Sequence, residues 1–252
     1  RLGPFNIITA ALLLVAAFTN GTARWILFGA GFVLHWITPY LIPQSNFRIR
    51  SAHFVERHGL ILLIALGESV VAVGIGLGTN LPLGRIVTAL LGLALAAALW
   101  WLYFQNDEER AGRAMEAAPQ EKRPWMALNG FGYVFLLVLG GIVVFAAGMK
   151  LAVVRYAEPS TIAAALFLAV GVAAYACGLA LFRWVMHSGR LVVRLALTIV
   201  VLPTALIGIA ISPLVQLVIL VAIVAGGATV DTMLTNNSLP RSRGRAGWGP
   251  DI

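Results

Sequence analysis

The sequence predicts an all-α fold: a polytopic transmembrane helical bundle of about eight spans, with both termini in the cytoplasm. Three observations carry this expectation. Sixty per cent of the 252 residues are hydrophobic and 11% are charged, with a mean hydropathy of +0.90, whereas an ordinary globular domain has about 25% charged residues. The apolar residues fall in repeated runs of about 20, the length that crosses a hydrocarbon core of about 30 Å. The basic residues gather on alternate connections between those runs. A soluble chain this apolar would lack the polar surface to cover itself.

In chain order the expected spans are Pro4–Phe18, Thr22–Ile42, Phe54–Leu77, Leu83–Gln105, Trp125–Leu151, Ser160–Met186, Leu191–Ile211 and Pro213–Asp231. Pro82, Pro124 and Pro159 stand just before the fourth, fifth and sixth spans, because a proline fits the first turn of a helix, where its missing N–H has no partner to lose. Ser212-Pro213 makes the same kind of start for the eighth span, with the serine as cap. Pro39, Pro43 and Pro203 lie at or within helices and are expected to kink them. Residues 1–235 form the bundle. Residues 106–124, NDEERAGRAMEAAPQEKRP, read mainly as a solvated cytoplasmic loop with the makings of a short interfacial helix, since Glu109 precedes Arg113 by four residues. Residues 236–252 are Gly/Arg-rich and read as a disordered basic tail.

The net charge of +8 is a topology signal rather than a nucleic-acid patch. With eight spans, the side shared by both termini holds Arg1, Arg48, Arg50, Arg110, Arg113, Lys122, Arg123, Arg183, Arg190, Arg194 and the arginines of the tail. The other side holds Arg24, Arg85, Lys150 and Arg155. The positive-inside rule makes the first side cytoplasmic. Trp36, Tyr40, Trp100, Trp101, Tyr103, Trp125 and Trp184 cluster at cytoplasmic helix ends, as an interfacial aromatic belt does. Asp231 closes the eighth span at that interface and reads as a boundary residue. Cys177 is the single cysteine, so no intrachain disulfide forms.

The third span carries the candidate site. Glu68 stands in the middle of the apolar run Leu60 to Leu77, where an acid costs roughly 2.5–3.5 kcal/mol on insertion scales. Such a residue faces a bundle interior or a wet cavity, and marks a functional site by default. Arg57 precedes it by eleven residues, close to three turns, so the two share a face about 16 Å apart along the axis. His53 extends this polar line by one more turn at the cytoplasmic end, and Glu56 and His58 project elsewhere from the same helix entry. Arg57 lies beyond hydrogen-bond reach of Glu68 within its own helix. Glu68 therefore needs a partner from another helix, a water or a proton of its own. Two roles suit it: a proton-exchanging carboxyl in a cavity, or a neutral acid that ties two helices together. Glu68, Arg57, His53, Glu56 and Ser69 are the candidates for a substrate or ion path. Gly67, Gly74 and Gly78, with Gly171, Ala174 and Gly178 in the sixth span, are candidates for close helix packing.

The third and fifth spans align with Gly59 on Gly132, Gly67 on Gly140, Leu63 on Leu136 and Val70-Val71 on Val143-Val144, which puts Gly141 in the place of Glu68. A parallel repeat of this kind is one way secondary transporters build a mid-membrane site. No phosphate-cradling Walker loop, HExxH or CxxC spacing, or recognisable Ser/His/Asp set occurs in the sequence. The expectation is therefore a protein that is not an enzyme and holds no metal or cofactor.

The run HFVERHGLILLIALGESVVAVG from His53, with its Ala65-Leu66-Gly67-Glu68-Ser69 block, the LWWLYF segment closing the fourth span and the glycine-marked fifth span resemble the bacterial low-temperature-requirement A (LtrA) membrane family. The resemblance implies a multi-pass protein of the bacterial inner (plasma) membrane, with no defined biochemical activity. Family members also carry upstream spans with a motif resembling ELFFDLVFV. That motif is not in this sequence, and the expectation is that the chain forms the C-terminal majority of a longer protein. The leading functional expectation is a transporter or channel-like protein for a small solute or ion, with the lipid bilayer as surroundings, no nucleic-acid partner and a homo-oligomer as a further option. The alternative is a non-transporting scaffold for membrane adaptation to cold or stress.

Overall fold

The computed structural model describes residues 3–41, 50–79 and 81–236, and every regular element among them is helical. Pro43 and the expected tail beyond Asn236 lie outside the described residues. The chain divides into two compact units, residues 1–49 and 50–252.

The first unit is a pair of helices, α1 (Gly3–Phe18) and α2 (Gly21–Leu41). Gly31 lets them approach, since a Cβ there would stand 3.2 Å from Leu13 Cδ2. Pro39 lies inside α2, and His35 lines a cavity of about 620 Å³ between the two helices with Thr9 and Trp25.

The second unit contains α3 (Ser51–Leu77), α4 (Leu83–Phe104), α5 (Asp107–Ala117), α6 (Arg123–Met126), a π-helical stretch (Ala127–Val134), α7 (Phe135–Val154), α8 (Ile162–Met186), α9 (Val192–Val200), α10 (Thr204–Ala210) and α11 (Pro213–Asn236). Among the described residues six helical segments are long and apolar enough to cross a membrane, and all belong to this unit: Ser51–Leu77, Leu83–Ala117, Arg123–Val154, Ile162–Met186, Val192–Ala210 and Pro213–Leu234. Of the two remaining expected spans, α1 has only 16 residues, about 24 Å of helix against a core of about 30 Å.

Two elements sharpen what the sequence suggests. Within residues 106–124, α5 is helical, and one face of it, Asp107, Ala111 and Met115, is buried. The spacing of four that brings Glu109 to Arg113, paired at 3.3 Å, also puts those three residues on one inward stripe. The seventh span is broken at Val201–Pro203 into α9 and α10, because a proline cannot donate the helical hydrogen bond. The start of α11 follows expectation: Ser212 Oγ accepts from Val215 N at 3.3 Å.

Helix α8 is the most buried of the six segments and packs most extensively on α7. Their contact is glycine-lined. A Cβ at Gly141 would stand 2.6 Å from Tyr175 N, one at Gly148 would stand 2.8 Å from Leu168 N, and one at Gly171 would collide with Phe145 N. The small face expected at Gly171 and Gly178 is therefore a backbone-to-backbone contact, worth its packing because lipid supplies no hydrophobic drive between helices. At Gly67, Gly74 and Gly78 a Cβ would meet nothing within 4 Å among the described residues. Helix α3 makes its close approaches through Gly76, against Val153 and Lys150, and through Gly59, where a Cβ would stand 2.6 Å from Glu108 Oε1.

Candidate functional site

Two sets of ionisable groups emerge, one sealed and one open. The sealed set joins four helices at the end of the bundle where α4 gives way to α5. Asp107 opens α5, Arg183 lies in the last turn of α8, Arg194 lies in the first turn of α9, and Asp231 lies near the end of α11. Arg183 donates from Nε to Asp107 Oδ1 at 2.6 Å and grips Asp231 with Nη1 to Oδ1 at 2.9 Å and Nη2 to Oδ2 at 2.7 Å. Arg194 Nη2 reaches Asp231 Oδ2 at 3.2 Å and Asp107 Oδ2 at 3.4 Å, and donates to Leu102 O at 2.7 Å. No side chain of the four is more than 6% exposed.

Two guanidinium and two carboxylate charges cancel, so the cluster is neutral as a whole, which is the condition for keeping ions out of water. Local structure helps at two of the four positions. An acid at the start of α5 and a base at the end of α8 both oppose their helix dipoles favourably, while Arg194 at the start of α9 relies on the carboxylates. Arg183 Nη1 also donates to Arg190 O at 2.9 Å, and His187 closes α8 in the left-handed conformation (φ 50°), so the short α8–α9 connection is tied to the cluster. Nearby, Tyr175 donates to Leu99 O at 2.7 Å and Gln105 donates to Thr232 Oγ1 at 2.5 Å.

Sequence reasoning missed this cluster. Arg183 and Arg194 read as markers of membrane sidedness, Asp231 as a boundary residue and Asp107 as part of a polar loop. The available signal was charge balance: two arginines and two aspartates stand at the ends of four neighbouring apolar runs. Tyr103, expected in the interfacial belt, is fully buried, whereas Trp101, Trp125 and Trp184 are exposed as a belt requires.

The open set lies along α3. Glu68, Arg57, His53 and Glu56 are all exposed, on the face bearing Ile61, Ile64 and Ile75, and Ile64 is 75% exposed. His53 Nδ1 and Glu56 Oε2 stand 3.7 Å apart, so Glu56 joins the polar line rather than projecting away from it. No described residue forms an ion pair with Glu68. Ser69 points the other way: it is buried, and its hydroxyl donates to Leu66 O within the same helix at 2.6 Å. His58 turns toward the π-helical stretch and α7, with its ring 4.8 Å from that of Phe131 and 5.7 Å from that of Phe135, while Nδ1 bonds Phe54 O. Asn129 donates to Trp125 O within its own segment.

Long apolar helices, a neutral buried ion cluster and glycine-mediated helix contacts define a polytopic integral membrane protein. Residues 1–229 match the family described as bacterial low temperature requirement A protein (LtrA), and the chain belongs to that family. An uncharacterized protein of Rhizobium meliloti (strain 1021) is 30% identical over 138 residues, which cover 54% of this chain and 31% of that protein. The matched part thus spans about a third of that relative. No solved structure matches the chain.

Proposed function

We propose that the protein moves a small solute or ion across the bacterial inner membrane, with Glu68 as the carboxyl that faces the path and Arg57, His53 and Glu56 lining its cytoplasmic approach. The observation that carries this reading is the placement of Glu68. It sits at mid-length in an apolar helix, on a face that the described helices leave open, unlike Asp107, Arg183, Arg194 and Asp231, which are paired and sealed. A carboxyl facing hydrocarbon is costly, so that face belongs against water or further helices, supplied by other spans of the protein or by a second copy.

In this reading α1, short for a span but accommodated by local thinning of the bilayer, and α2 add two spans to the six, and an even total with the basic side inward puts both termini in the cytoplasm. Reconstituted vesicles test the proposal by following proton and cation flux for the unaltered protein and for Glu68→Gln. A flux lost in the variant supports it, and equal flux in both overturns it.

One observation favours a second reading, a non-transporting membrane scaffold: the buried charged side chains among the described residues, Asp107, Arg183, Arg194 and Asp231, all hold helices together. On that reading Glu68→Gln shifts the melting temperature in detergent and leaves ion permeability untouched.

A further inference from the structure

We propose a binding site for an anionic phospholipid in the pocket between α5, α6 and the C-terminal end of α8. This cavity of about 660 Å³ has walls formed by Ala114, Ala117, Met126 and Met186, and carries Lys122 and His187 as its polar lining. Its position is fixed by two span ends. One candidate span begins at Arg123 and another finishes at Met186, and the polar helix α5 packs on α8 at the same end, so the pocket lies where hydrocarbon meets headgroups. Trp125, also lining it, is exposed, as an indole at that depth is expected to be.

The two halves of the pocket match the two halves of a phospholipid. An acyl chain suits alanine and methionine walls, and methionine adapts to irregular apolar shapes. A phosphate suits an ammonium and an imidazole that are both exposed and not engaged with any described acid. Glu116 and Glu121, the acids of this turn, are not among the lining residues. Arg123 is occupied in shaping the turn: its guanidinium donates to Ala118 O at 3.1 Å and Glu116 O at 2.8 Å, which sets Lys122 at the mouth. His187 is fixed at the other side by its left-handed cap, whose N–H bonds back into α8. A free phosphate would leave the apolar walls without use, and an uncharged lipid would leave the basic pair without use. Basic pockets between helices on the cytoplasmic side are a recurring way to hold anionic headgroups.

Native mass spectrometry of the protein purified in detergent, titrated with dioleoylphosphatidylglycerol, tests the site. The expected result is a retained lipid adduct, weakened about fivefold in Lys122→Ala and weakened also in His187→Ala, which removes an imidazole hydrogen-bond partner. Ala117→Trp, which fills the apolar trough and spares both basic groups, is expected to abolish the same adduct and keeps the test open should the first pair unfold. Adducts unchanged in all three variants overturn the proposal. So does equal retention of dioleoylphosphatidylcholine, which removes the role of charge, or displacement of the lipid by millimolar inorganic phosphate, which makes it a site for the free anion.

Discussion

Arg183 holds Asp231 by two parallel hydrogen bonds, Nη1 to Oδ1 at 2.9 Å and Nη2 to Oδ2 at 2.7 Å, and so pins the end of α8 to the end of α11. This fork is the geometry a guanidinium offers and an ammonium does not. Asp231→Asn leaves two buried arginines facing one carboxylate, and Arg183→Met leaves the reverse. Each is expected to destabilise the protein by about 3–5 kcal/mol, the usual result of removing one partner from a buried ion pair. Thermal unfolding in detergent measures it. A change within error would mean the cluster contributes no net stability.

Restoring neutrality gives a sharper test. Arg183→Met combined with Asp231→Leu removes one charge of each sign and leaves Arg194 facing Asp107, at 3.4 Å. The double variant is expected to be markedly more stable than the sum of the two single losses, because neither remaining ion lacks a counter-charge. Additive losses would show that shape and hydrogen bonding, rather than charge balance, hold the four helices.

The α7–α8 contact yields a prediction that separates two kinds of glycine. Gly141→Ala puts a methyl 2.6 Å from Tyr175 N on the facing backbone, and overpacking of this kind costs about 1–3 kcal/mol. Gly74→Ala meets open space and gains helix propensity, so it is expected to be neutral or stabilising by about 0.5–1 kcal/mol. Melting temperatures of the two variants, measured side by side, should move in opposite directions or differ clearly in size.

Much of this was legible in the sequence, for physical reasons. The runs of apolar residues fix helices because the bilayer admits no unsatisfied backbone, and Pro203 and Ser212 mark a break and a start because their local chemistry is obligatory. The small residues Gly171 and Gly178 announced a close crossing. What stayed hidden depends on partners distant in sequence. Asp107 and Arg183 are 76 residues apart, and nothing in the local pattern of either tells a buried ion from a solvated one. The inward face of α5 was masked by the many charges on its outward face. Glycine spacing alone does not single out Gly76, which lies between Gly74 and Gly78 and makes a close contact of α3 among the described residues.

The proposed sidedness can be tested at the loops. Gln120, in the turn between α5 and α6, and Glu158, between α7 and α8, are both exposed and lie on opposite sides of one apolar span. In a Cys177→Ala background, Gln120→Cys is expected to react with a membrane-impermeant maleimide only from the cytoplasmic face, and Glu158→Cys only from the outer face. Labelling of both from the same side would remove the span Arg123–Val154 from the bilayer, or its orientation from the scheme.

The environment of α3 can be read residue by residue with the same reagent class. Cysteine reacts as the thiolate, so a position against hydrocarbon stays silent and a position against water does not. Single cysteines at Arg57, Ile61, Ile64 and Glu68 sample the open face, and Leu62, Leu66 and Ser69 sample the buried one. If a path runs along this helix, a charged thiosulfonate is expected to modify the first set with helical periodicity and to spare the second. Reaction reaching Glu68 but stopping before Ile75 would place the end of the water column one to two turns beyond the carboxyl. A helix unreactive from Ile61 onward would put Glu68 in a dry contact, and the transport reading would fall.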